Sequence, residues 1–100
     1  MAKEVILTPI ALEDFENVVN YLNNEWGVTV ANNFVDRFVK VTTLIAKTPG
    51  LFLFVDKTKR IQRCIVTKHN ILYFKESEDI IRILTVFDTR QDPDKLNLII

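Results

Sequence analysis

The chain has 100 residues, 48% apolar and 26% charged, and its 13 basic and 13 acidic side chains cancel. That length and balance hold one domain, residues 1–100, with a single core, and exclude a second domain or a disordered chain. No apolar run approaches the roughly 20 residues of a membrane-spanning helix, and Met1-Ala2-Lys3-Glu4 lacks a secretory apolar core, so a cytoplasmic protein without membrane attachment is expected. Cys64 is the only cysteine and Gly27 and Gly50 the only glycines. An internal disulfide, a cysteine-built zinc site and a phosphate-cradling loop are thereby excluded, so no cofactor or metal is expected and a metabolic enzyme is disfavoured. Charge is segregated: from Glu4 to Asp36 every charged side chain is acidic, and from Lys57 to Lys75 every one is basic.

Glu4–Leu7 has the pattern of a short strand, closed by Thr8-Pro9. Thr8 suits an N-cap and Pro9 the first helical position, where its missing N–H costs nothing. A helix follows, with Leu12, Phe15, Val18, Val19 and Leu22 on one stripe and Glu13, Asp14, Glu16 and Asn17 opposite. Asn23-Asn24 and Gly27 mark its end, with Trp26 placed to cover the joint. A second helix capped near Thr29 carries Ala31, Phe34, Val35, Phe38, Val41, Thr42 and Ile45 inward and runs to about Lys47, where Thr48-Pro49-Gly50 stops it. Leu51–Val55 reads as an apolar loop or irregular strand.

Three strands of a meander come next. Ile61–Val66, Ile71–Phe74 and Ile80–Phe87 are apolar, β-branched or aromatic, and the polar clusters Thr67–Asn70 and Glu76–Asp79 between them are too short for crossovers. A helical turn at Asp94–Leu96 and an apolar end, Leu98-Ile99-Ile100, complete the chain. The expected fold class is α+β in the order β-α-α-β-β-β: an N-terminal strand and an antiparallel α-hairpin packed on one face of an antiparallel sheet. The other face is then solvent, substrate surface or a dock.

Candidate functional residues lie in and around the meander. Arg63 sits mid-strand, where an unpaired cation is costly to bury, so it is expected on the open face; a structural alternative is an ion pair with Glu76 or Asp79. Arg82, flanked by Ile81 and Ile83, must face away from both. His69, the only histidine, is the side chain suited to proton transfer at neutral pH, or simply a polar turn residue. Tyr73 suits packing with a tethered hydroxyl. Arg90 follows the last strand, where side chains reach ligands. These residues, with Arg60, form the expected target-binding set, and Arg63, His69, Arg82 and Arg90 are the candidates for any catalysis.

The succession of a strand, an acidic helix opened by Thr-Pro, NYLNNEWG, a helix ending at TPG, HNILYF and IIRILTVFDTRQDP resembles the RelE/ParE superfamily of bacterial type II toxins over nearly the whole chain. The resemblance implies a growth-inhibiting toxin of a plasmid-stabilisation type of toxin–antitoxin system, neutralised by a cognate antitoxin. Its target is implied to be either DNA gyrase, as in ParE-like members, or mRNA on the ribosome, as in RelE-like endoribonucleases. RelE-like members place an arginine beside the strand tyrosine motif and an aromatic acid–base group near the C-terminus. Here Asn70 stands at the first place, and Asp94–Leu98 has neither Tyr nor His, so the ParE-like branch is the expected one. A homodimer, a heterotetramer with the antitoxin, and a non-toxic protein-binding module are the alternatives left open.

Overall fold

The computed structural model describes residues 2–100. Its elements are β1 (Glu4–Leu7), α1 (Pro9–Trp26), α2 (Val28–Lys47), a 3-10 turn (Pro49–Leu51), β2 (Phe54–Asp56), β3 (Ile61–Thr67), β4 (Asn70–Glu76), β5 (Ile80–Asp88) and α3 (Pro93–Ile99). The strands form one sheet in the order β1-β5-β4-β3-β2. β2 through β5 pair antiparallel, as short reversals require, whereas β1 joins β5 in parallel, with Leu7 opposite Ile83. The sheet is therefore mixed. The α-hairpin carries the chain from β1 at one edge of the sheet across one face to β2 at the other edge, and the meander then works back until β5 lies beside β1.

The expected caps are present. Thr8 Oγ1 accepts from the Ala11 N–H at 3.1 Å with Pro9 at the first helical position. Gly27, at φ +98°, serves both helices: its N–H donates to the carbonyls of Leu22 and Asn23, and its own carbonyl accepts from Ala31 N–H. A side chain at that φ is strained, which is why the joint needs glycine. Thr29 is consequently inside α2 and caps nothing. Trp26 is 68% exposed and does not cover the joint.

The main core lies between the hairpin and the sheet. Phe34, Phe38 and Ile45 of α2 and Ala11 of α1 meet Val66, Leu72, Phe74, Ile81, Ile83 and Val86. Phe15 stacks at 4.6 Å from Phe38 and 5.9 Å from Phe34, centroid to centroid, so the aromatic side chains lock the two helices together. Phe15 and Leu22 are half-buried rather than buried. Leu12 is exposed and the fully buried contact on that turn is Ala11. α2 matches its expected stripe from Ala31 to Ile45.

Leu51–Val55 runs from the end of the 3-10 turn at Leu51 through a short link into the bulged edge strand β2 at Phe54, and Leu51 and Leu53 are exposed. The sheet face away from the hairpin is not vacant. Ile61, Tyr73 and Phe87 form a second cluster there, and α3 lays Leu96 and Ile100 on it while Leu98 points outward, 89% exposed. The expected turn at Asp94–Leu96 is thus part of a longer helix capped by Asp92, whose carboxylate accepts from Asp94 N–H at 3.0 Å.

Phe34 is 5% exposed at the centre of the helix–sheet core. Phe34→Ala is expected to cost about 3–5 kcal/mol, measured as a lower midpoint at unchanged slope in denaturant unfolding. A loss under about 1 kcal/mol would mean that the hairpin does not pack by this face.

Candidate functional site

β1 stops opposite Ile83, but β5 runs on to Asp88, so residues Leu84 to Asp88 have no neighbouring strand on that side. Side chains of α1 take the missing strand's place. The Thr8 hydroxyl, while capping α1, donates to the Leu84 carbonyl at 3.0 Å. One carboxylate oxygen of Asp14 accepts from the Thr85 hydroxyl at 2.5 Å and from Val86 N–H at 3.1 Å. These bonds bracket the irregularity in the β4–β5 ladder, where Tyr73 pairs with Thr85 but Phe74 pairs with Ile83. The bulge lets Thr85 and Val86 both serve the hairpin side, and sends Phe87 to the cluster under α3.

Past Asp14 a groove of ≈ 870 Å³ opens between the hairpin, the β3–β4 turn and the end of β5. Val18, Leu22, Val30 and Phe34 supply its apolar lining, and Tyr21 and Trp26 stand at its rim. Its polar walls are built. Arg37 reaches from α2 and donates through Nε to the Val66 carbonyl. The turn bearing Lys68 and His69 is tied by His69 N–H to Thr67 Oγ1 at 3.2 Å, and by Thr89 N–H to the His69 carbonyl at 2.9 Å. Arg90 grips Asp88 through Nε and a terminal nitrogen at 3.0 and 2.8 Å, and its own N–H also meets that carboxylate.

That two-pronged contact holds the Asp88 carboxyl below the ordinary aspartate value, with the nearby His69 a smaller contributor. Asp88 in turn raises the Arg90 guanidinium, helped slightly by Tyr21. Burial pushes the Cys64 thiol up against an opposing effect of Arg37, so Cys64 is a core side chain and not a nucleophile.

The groove brings together His69 and Arg90 of the sequence candidates. Arg63 and Arg82 lie elsewhere, on the sheet face that carries Tyr73: Arg63 is opposite Tyr73 on β3 and half-buried, Arg82 opposite Lys75 on β5 and exposed. They flank β4 in different rows. Glu76, considered as a partner for Arg63, pairs with Lys3 at 2.7 Å instead. Arg60 is exposed in the β2–β3 turn at φ 59°. No group of His, Cys, Asp and Glu able to hold a metal occurs among the described residues, and no helix of the described residues is long and apolar enough to cross a membrane. Sequence reasoning passed over Arg37, Asn17, Asn33 and the groove-facing role of Tyr21 and Trp26. The available signal was that Tyr21 and Trp26 lie off the apolar stripe of α1, and that Arg37 is the first cation after the acidic stretch.

Asp88 is ionised throughout the neutral range, and its depressed value gives a stability contribution that is complete above the ordinary aspartate value of 3.8 and is lost as pH falls through the lower folded-state value. Arg90→Ala is expected to raise the Asp88 midpoint towards 3.8, read from its carboxyl carbon shift in an acid titration. An unchanged midpoint would mean that the Arg90 contact does not persist in solution.

A family model described as ParE toxin of type II toxin-antitoxin system, parDE, matches residues 5–93. Among solved structures, the chain is similar to one described as the chromosomal ParDE TA system from P. aeruginosa. The TM-score is 0.73 at 12% identity, over 87% of this chain and 96% of that one, a likeness of fold. No curated protein matches the chain. With the strand–hairpin–meander order in place and the family match running from β1 to the start of α3, the chain belongs to the ParE toxin family of type II toxin–antitoxin systems.

Proposed function

We propose that this toxin arrests growth by acting on DNA gyrase and not by cutting mRNA. The observation that carries the reading is the cover on Tyr73. RNA cleavage through the 2′-hydroxyl needs groups that take and give protons beside cations that hold the phosphate. The face bearing Arg63 and Arg82 has the cations, but its tyrosine is 6% exposed, packed with Ile61 and Phe87 beneath Leu96 and Ile100. His69 is on the groove side. From Arg63 to the start of its turn at Thr67 is about 13 Å along β3. Cations without a nearby proton carrier stabilise charge but leave the proton transfers uncatalysed, a loss of roughly 10²–10⁴ in rate.

Family membership implies a cognate ParD antitoxin. The exposed apolar side chains Leu51, Leu53 and Leu98, and the apolar groove beside α1, are surface of the kind a second chain covers. A nuclease reading is favoured by one feature, the presence of His69 and Arg90 in the same groove.

Parallel assays decide between the two targets. The purified chain is expected to inhibit supercoiling and to cause gyrase-dependent DNA breakage, and to leave mRNA on translating ribosomes intact. Codon-positioned mRNA cleavage that disappears in His69→Ala or Arg90→Ala, with gyrase unaffected, would overturn the proposal.

A further inference from the structure

β2 closes the sheet at the end opposite β1, and no strand pairs with its outer edge. Arg63 N–H donates to the Leu53 carbonyl at 3.0 Å, so Leu53 turns its backbone towards β3, and Phe54, the next residue, turns its N–H and carbonyl outward. Neither group has a protein partner among the described residues. Sheet edges are commonly guarded by a lysine or a proline. This one has neither: Leu51 to Val55 is uninterrupted apolar sequence, and Leu53, Phe54 and Val55 are 67%, 43% and 41% exposed. The first charge, Asp56, is turned back into its own chain, its carboxylate accepting from Lys59 N–H at 2.9 Å. Because the strand is short and bulged past Phe54, the edge offers one outward donor and acceptor, both on Phe54.

That edge is its own complement. When two copies meet antiparallel about a two-fold axis beside Phe54, its N–H reaches the carbonyl of Phe54 in the second copy, and the reverse bond forms as well. Leu53 of each copy then lies opposite Val55 of the other, so every exposed apolar side chain of the strand is covered by an apolar one and no charge is opposed. Any extended segment can bond to Phe54. A second copy supplies both bonds and a matching side chain at each position, and the contact closes at two chains.

We propose that the chain forms a two-fold dimer by antiparallel pairing of its β2 edges at Phe54. The joined sheet runs from β1 of one copy to β1 of the other, with Arg63 and Arg82 of both copies on one face and both hairpins on the opposite face. None of Leu51 to Val55 lines the groove, which stays open in the dimer. The inference concerns a separate surface and does not rest on the gyrase reading.

The test is sedimentation velocity on the full chain from about 1 to about 100 μM, the range suited to an edge contact of modest area. A shift from monomer to dimer is expected. Val55→Lys, checked for intact fold by circular dichroism, is expected to weaken dimerisation by about tenfold or more. Phe54→Cys is expected to form a disulfide-linked dimer under mild oxidation, because residues paired in this way lie about 5.5 Å apart at Cα, whereas Leu51→Cys, well off the axis, is not. The native Cys64 is buried and does not compete. A chain that stays monomeric throughout, a dimer that Val55→Lys leaves intact, or one that Phe54→Cys fails to link overturns the proposal. A monomer whose Phe54 N–H is protected from exchange only with the protein of the adjacent reading frame bound assigns the edge to that protein, and overturns the dimer too.

Discussion

The contact on which the rest of the structure depends is the carboxylate of Asp14 against β5. Four paired residues of β1 serve only the first part of a nine-residue strand, and the remainder would expose backbone groups beside an apolar core. Thr8 and Asp14 supply the missing partners from the helix that follows β1. Charge-assisted bonds of this kind contribute about 1.5–3 kcal/mol each when partly buried. Their larger effect is geometric. They hold the bulge at Thr85, and the bulge decides that Val86 packs on the hairpin while Phe87 packs under α3.

The function proposed above draws on that division of β5. One face of the sheet carries cations around a covered tyrosine, a surface that can hold charge but is poor in exposed proton carriers. The other side ends in a groove whose apolar lining, aromatic rim and free strand edge, with cations that have no carboxylate partner among the described residues, suit a protein chain. A toxin that acts by binding, and is silenced by being bound, needs surfaces of this sort more than it needs an acid and a base. The Arg90–Asp88 pair and the tied Thr67–Asn70 turn keep the groove's far wall in place before any partner arrives.

Local signals in the sequence carried the fold well. Thr8-Pro9, Gly27 and Thr48-Pro49-Gly50 punctuate the chain where the helices begin and end, and the two short polar clusters of the meander admit only hairpins. What depended on long-range register was not legible. The parallel pairing of β1, the bulge at Thr85 and the placing of α3 over Tyr73 each depend on residues more than 70 positions apart, or on a strand meeting a later helix. Asp14 looked like one more acid on a solvated face because its partner, Thr85, is distant in sequence. For the same reason Leu12 was expected inside, where Ala11 lies instead, and the groove went unseen except through His69 and Arg90.

The α1–β5 contact is open to direct measurement by a double-mutant cycle of Asp14→Ala and Thr85→Val in denaturant unfolding. If the carboxylate completes the edge of β5, each single change destabilises the fold and the two are coupled by about 1 kcal/mol or more. Additive effects, or an Asp14→Ala variant as stable as the parent chain, would contradict the account.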